Sequence, residues 1–346
     1  MRKKIVFYST PLGYGHLARD LAISSSFPKK TEAYILTSLS SRLSSPNAKL
    51  IKLPPINGYR RLNDPVEFVP FQEGMEDKGE FAAHITSYLQ HLNQIKPDVV
   101  VVDIAAEMAV LSKLAGYKTA LMYISGKKTD QRNLLAYTCV DKILVPYPEG
   151  FTDVSYLEQN HLKKFAYSGG FSRLDKHERL EKKVAKKRLG LKETDTLILS
   201  AVGRGGNGEK LLSVFKEAVA QLPNVKAVEI ARQKEEEIVI LLSAAEIAVT
   251  GTGDNTVMEM CRFGVPFITT PLDRYYGEQK TKADDLERIG ACLVIPPDKL
   301  TAQELTKEIT KLMNDESLRS RMAKAQKKLV SGEGGVKMAE IILSMG

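Results

Sequence analysis

The chain has 346 residues, 43% of them hydrophobic and 27% charged, which predicts an ordinary soluble globular protein of roughly two domains at about 150 residues each. Its formal net charge of +8 favours polyanionic partners, whether nucleic acid, an anionic membrane face or a phosphorylated small molecule. The basic residues are dispersed, with neither zinc-finger spacing nor an aromatic–basic RNA-binding signature, and this argues against nucleic acid.

Met1–Thr10 reads as a Lys-flanked strand over Ile5–Tyr8, because its apolar run is too short for a secretory signal and no small-residue cleavage pattern follows. A helix over Leu17–Ser26 and strands over Ala33–Thr37 and Leu50–Leu53 come next. Pro54–Gly79, rich in Pro, Gly and charge, is expected to be a long irregular loop, a length often reserved for function. Glu80–Ile95 is predicted helical, and Asp98–Val102 is a continuous apolar run suited to a parallel strand buried on both faces. A helix over Ala105–Ala115 and strands over Thr119–Ile124 and Lys142–Val145 extend the alternation. Composition shifts between Tyr147 and Arg173, the expected domain junction. A second series then begins with a charged helix over Lys176–Leu189 and a strand over Thr196–Ala201. The run Lys182-Lys183 to Lys186-Lys187-Arg188 reads as a solvated helix face. Helices follow over Glu209–Leu222 and Ile238–Ala245, with strands over Lys226–Ile230, Ile247–Thr250, Pro266–Thr270 and Leu293–Ile295. Helices over Thr301–Met313 and Leu318–Val330, a break at Gly332–Gly335 and a last helix over Val336–Met345 complete the chain. Alternating β and α units imply an α/β protein with doubly wound parallel sheets. We expect domains at 1–165 and 166–332, Rossmann-like and facing across a cleft, with the last helix returning to the first. No stretch approaches ~18 uncharged apolar residues, so no membrane span is expected. Cys139, Cys261 and Cys292 lack metal or disulfide spacing and read as reduced thiols of a cytoplasmic protein.

Three constellations carry chemistry. At the first strand-to-helix turn, Gly13 and Gly15 allow a tight turn, and His16 opens the helix. The dinucleotide fingerprint is incomplete, because Ala18 stands at the third glycine position. Asp103 closes the apolar run Val99–Val102 and so falls on the same sheet rim as His16. There it suits an Asp that holds one imidazole nitrogen while the other takes a proton from a hydroxyl. The alternatives are a capping or surface histidine and a helix-capping aspartate. The loop Gly203-Arg204-Gly205-Gly206 precedes a helix and suits a phosphate or diphosphate, or else is a flexible connection. In Ile247–Ala283, polar residues again gather at strand ends and helix starts, although Thr256-x-x-Glu259 is also a capping-box pattern.

Taken together, Gly251-Thr252-Gly253-Asp254-Asn255-Thr256-Val257-Met258-Glu259, Gly264-Val265-Pro266, Pro271, Glu278-Gln279 and Ala283 resemble the donor signature of nucleotide-sugar glycosyltransferases, families 1 and 28 above all. The Gly-His turn with Arg19 three residues on is similar to the amino-terminal motif of their bacterial and archaeal relatives. The resemblance implies the GT-B fold, with the acceptor in the amino half and the donor in the carboxyl half. By position, it implies that Glu259 binds ribose hydroxyls, that Thr252, Gly253, Asn255 and Thr256 line the diphosphate, and that Glu278 and Gln279 hold the donor sugar. Uracil would lie near Arg232–Ile238. It further implies His16 as base and Asp103 as its orienter.

Three positions depart from the signature. Gly251 replaces a diphosphate-binding His or Arg, Asp254 replaces the plant Trp, and Lys282 replaces an Asn. Diphosphate charge is then expected to fall to Arg204 and helix dipoles. The expected function is inverting, metal-independent transfer from a UDP-sugar, with no cofactor, to a small-molecule or lipid-linked acceptor. The protein would be cytoplasmic, with peripheral contact at the inner membrane face. A nucleotide-sugar 2-epimerase or hydrolase of the same fold, or a non-catalytic binding subunit, is the alternative.

Overall fold

A computed structural model of the chain describes residues 2–11, 13–40, 45, 47–56, 78–202, 208–230 and 233–346. In chain order the first elements are β1 (Lys4–Ser9), α1 (Tyr14–Ser25), β2 (Glu32–Thr37), β3 (Ala48–Lys52), α2 (Lys78–Ile95), β4 (Val99–Asp103) and α3 (Ala106–Leu114). Next come β5 (Thr119–Met122), α4 (Gln131–Cys139), β6 (Lys142–Val145), α5 (Gln159–Leu162), β7 (Phe165–Tyr167), α6 (Lys182–Arg188), β8 (Thr196–Ala201) and α7 (Gly208–Ala220). The remainder are β9 (Val225–Glu229), α8 (Glu235–Ala244), β10 (Ile247–Gly251), α9 (Asp254–Phe263), β11 (Phe267–Thr270), α10 (Glu278–Arg288), β12 (Leu293–Val294), α11 (Ala302–Asn314), α12 (Glu316–Leu329) and α13 (Gly334–Leu343). Among the described residues no helix is long and apolar enough to cross a membrane.

The chain divides into two compact units, residues 1–169 with 334–346, and residues 170–333. The first unit holds a seven-stranded sheet in the order β3-β2-β1-β4-β5-β6-β7, with every pairing parallel. The four valines of β4 are completely buried, as a central parallel strand covered on both faces demands. Strand order reverses between β1 and β4, where Ser9 lies opposite Asp103. Open α/β sheets place ligands at such a switch point, outside the carboxyl ends of the strands.

The second unit holds a parallel five-stranded sheet ordered β12-β11-β10-β8-β9, with its switch point between β8 and β10. Ile198, Val249 and Ile268 from the sheet pack with Leu211 and Phe215 of α7 and with Leu305, Ile309 and Leu312 of α11. The spacing of these last three residues puts them on one helix face, which is why α11 lies flat on the sheet.

The structure departs from the sequence reading in several places. The helix expected over Lys176–Leu189 forms only from Lys182. Upstream of it, the Leu180 N–H donates to Ser243 Oγ, and Arg262 donates to the carbonyls of Asp175 and His177. These bonds tie the segment to α8 and α9 in place of a helical ladder. Helix α4 had no clear apolar period but has a real start, where the Asp130 side chain accepts the Asn133 N–H. β7 is an edge strand of three residues, too short to show a period of two. The last helix starts at Gly334, inside the expected break.

Candidate active site

In the first unit, the chain leaves β1 and enters α1 at Tyr14, so His16 sits in the first turn and Arg19 one turn further along. Gly13 is the residue just before the helix, in extended conformation, and Gly15 lies within the first turn. On the neighbouring strand, Asp103 ends β4 and points at this turn. The Asp103 Oδ1 lies 3.2 Å from His16 Nδ1 and accepts from Arg19 Nη2 at 2.6 Å, while Oδ2 accepts from Arg19 Nε at 3.2 Å. The carboxylate therefore does not cap α3, whose preceding residue, Ala105, is an uncapped position. His16 and Asp103 are brought together, with Arg19 as a third member.

Electrostatics fixes the state of Asp103. It is completely buried, and burial alone pushes its carboxyl up. The Arg19 guanidinium, and then His16, outweigh that and hold it at about 2. A full carboxylate beside Nδ1 selects the imidazole tautomer with hydrogen on Nδ1, which leaves Nε2 as an acceptor. Arg19 Nη2 is also 3.0 Å from Nδ1 and competes for the opposite tautomer. Asp20, next along the helix, is completely buried too. Burial first, and the Asp103 charge second, drive its carboxyl well above the usual range, with Arg19 pulling the other way. The Ser9 hydroxyl stands beside it, yet neither carboxyl oxygen completes a hydrogen bond of good geometry among the described residues.

In the second unit, β10 ends at Gly251 and α9 begins at Asp254 with Gly253 before it and no side-chain cap. Thr256 is thus the third residue of the helix and cannot be its cap, which dismisses the capping-box reading. Asn255 and Thr256 lie half-buried in the first turn. Glu259 is buried and accepts from Arg173 Nε at 2.8 Å. Burial raises its carboxyl, and Arg173 offsets part of the rise.

Helix α10 opens with Glu278, which is half-buried, and Gln279, which is buried. The Gln279 Oε1 accepts from both the Thr252 N–H at 3.0 Å and the Leu272 N–H at 2.9 Å, stitching the ends of β10 and β11 together. This corrects the expectation for Thr252. Its N–H is taken by Gln279, its hydroxyl meets Thr269 Oγ1 at 3.0 Å, and the residue is completely buried, so it lines nothing. A Cβ at Gly251 would lie 2.9 Å from Leu272 Cδ1, so the Leu272 side chain would have to shift to admit one. Gly203, Arg204, Gly205, Gly206 and Arg232 lie outside the described residues.

Residues 168–333 match the glycosyltransferase family 28 C-terminal domain. An N-acetylglucosamine transferase of Caldicellulosiruptor saccharolyticus, which uses UDP-N-acetylglucosamine and an N-acetylmuramyl-(pentapeptide) pyrophosphoryl-undecaprenol, is 26% identical over 294 residues. That stretch is 75% of this chain and 77% of that protein. The crystal structure of MurG from Acinetobacter baumannii matches with a TM-score of 0.68 at 15% identity, over 99% of this chain and 100% of that one. The calicheamicin glycosyltransferase CalG4 matches with a TM-score of 0.65 at 14% identity, over 100% of this chain and 98% of that one.

The chain is a GT-B glycosyltransferase resembling families 1 and 28.

Several residues of this glycosyltransferase escaped the sequence reading. Arg19 was visible only as part of a motif, and its role as the counter-charge of Asp103 needed the β4 partner to be known. Arg173 lies near the start of the second unit and is 86 positions from Glu259, so no local spacing links them. Lys282, read as a departure from the signature, pairs with Asp254, another departure. Asp20 carried no signal beyond its place on the inward face of α1, four residues after His16.

Proposed function

We propose that this glycosyltransferase moves a sugar from a UDP-sugar to an acceptor hydroxyl with inversion, His16 acting as general base. The observation that carries this reading is the contact of His16 Nδ1 with the ionised Asp103 at the β1–β4 switch point. His16 Nε2 takes the acceptor's hydroxyl proton, and the oxygen attacks the anomeric carbon. The bond from that carbon to the donor phosphate oxygen breaks as the nucleotide diphosphate leaves with its electron pair. Asp103 stabilises the imidazolium that results. The donor falls to the second unit, the part that matches a glycosyltransferase domain, where the first-turn amides of α9 suit a diphosphate. Glu259 would take the ribose hydroxyls, and Glu278 the donor sugar. No step in this scheme calls for a metal ion. A lipid-linked acceptor at an anionic membrane face agrees with the net charge of +8 and with the acceptor named for the Caldicellulosiruptor relative.

The test is turnover and donor affinity of His16→Ala. Positioned acid–base catalysis is worth ~10²–10⁴-fold, so turnover drops at least about a hundredfold while the Kd for UDP stays nearly unchanged. Transfer at the wild-type rate would refute the base assignment. Consumption of UDP-sugar at full rate without any acceptor would instead assign a hydrolase or epimerase.

A further inference from the structure

The turn between β10 and α9 carries a charge arrangement that the proposed chemistry does not require. Asp254 is the first residue of α9, with its carboxylate about one-fifth exposed. It therefore places a negative charge where the proposed donor brings two phosphates. A carboxylate there stabilises the helix but repels an anionic ligand. Behind it lies Lys282 of α10, whose ammonium is ion-paired to Asp254 Oδ1 although the side chain is only 1% exposed. Lysine is almost never so fully buried unless it is paired. Lys282 stands one helical turn after Gln279, and the two side chains reach the same turn, Gln279 at the Thr252 N–H and Lys282 at Asp254. Helix α10 thus fixes both the backbone and the charge of the β10–α9 turn.

We infer that Lys282 is a positioning residue for donor binding: it neutralises Asp254 from behind, so that the first turn of α9 receives a diphosphate. The inference rests on the donor reading given above. At 1% exposure the ammonium is sealed from solvent. It acts through Asp254 without touching the ligand.

Calorimetric titration of the full chain with UDP and with uridine tests this. In Lys282→Met, Asp254 loses its ion pair with the buried ammonium, and UDP binding weakens at least about tenfold, by less at high salt, while uridine binding changes little. The double variant Lys282→Met/Asp254→Asn removes both charges and restores UDP affinity to within about threefold of wild type. That recovery separates charge balance from simple damage to the turn. Unchanged UDP affinity in Lys282→Met overturns the inference. So does a double variant as weak as the single one, since the ammonium would then be the contact itself. If Lys282→Met fails to fold, the double variant decides alone, because buried pairs are often replaceable as a unit. A tenfold or greater loss in it refutes the inference. A wild-type chain that binds no UDP sinks the donor reading along with this inference, an outcome distinct from all of these.

Discussion

Replacing Asp103 by Asn tests the charge arrangement at the β1–β4 rim. The substitution keeps the shape of the side chain and removes the negative charge that Arg19 and His16 share. The folded carboxyl sits at about 2 against an ordinary 3.8. At 1.36 kcal/mol per pH unit, that depression contributes about 2 kcal/mol of stability at neutral pH. Because the folded value lies below the unfolded one, the contribution is complete above about pH 4 and is lost as the pH falls toward 2. Asn also takes from the buried Arg19 guanidinium the ionised carboxylate it bonds twice, which brings the total cost to ~3–5 kcal/mol. For a unit of this size, each kcal/mol moves Tm by about 2–4 °C, so a fall of roughly 6–20 °C is expected. Thermal unfolding followed by circular dichroism at pH 7 and at steps down to pH 3 reads both effects, and the variant loses the wild type's acid-side decline. Adding Arg19→Met removes the stranded cation and recovers part of the loss. An Asn variant within about 1 kcal/mol of wild type at pH 7, with its acid limb intact, would refute this account of Asp103.

Two further substitutions probe the packing and protonation around the two turns. Asp20→Asn stabilises the chain at pH 7–8, because a buried carboxyl raised above its unfolded value weakens folding as pH rises past about 4. The gain in Tm shrinks toward pH 4, and a gain that is absent or independent of pH contradicts the reasoning. Gly251→Ala drives a Cβ to 2.9 Å from Leu272 Cδ1, an overpacking that costs ~1–3 kcal/mol and is partly relieved by adding Leu272→Val. An unchanged Tm for the alanine variant would mean that the turn has slack the geometry does not show.

The parts of the site that were legible in the sequence are those written in strand endings. Four consecutive valines followed by Asp103 mark a buried parallel strand and put a carboxylate at its rim. Two glycines before His16 mark the facing turn. Both statements depend only on local pattern, and the β1–β4 pairing joins them through the register of Ser9 with Asp103. What stayed hidden depends on contacts between segments distant in sequence. Arg19 enters the sequence reading only as part of the Gly-His motif, and its burial against Asp103 needed the β1–β4 pairing to be known. Thr252, in a glycine-rich turn, reads as facing a ligand, yet Gln279, 27 positions away, takes its N–H and closes it off. The charged run after Lys176 has the composition of a helix, but Ser243 and Arg262 draw its first residues into tertiary bonds.

Helix α13 packs on α1 and β4, with Met338, Ala339 and Ile342 buried, and Lys3 Nζ donates to the Leu343 carbonyl. The first unit is therefore interrupted in sequence by the whole of the second. A ribosome makes chains from the amino end, so the apolar surface that α13 covers stays open until residues 170–333 have been synthesised. The second unit closes its core with residues made in one continuous run. The order of completion during synthesis is thus the reverse of the order in the sequence: the unit carrying His16 starts first and finishes last.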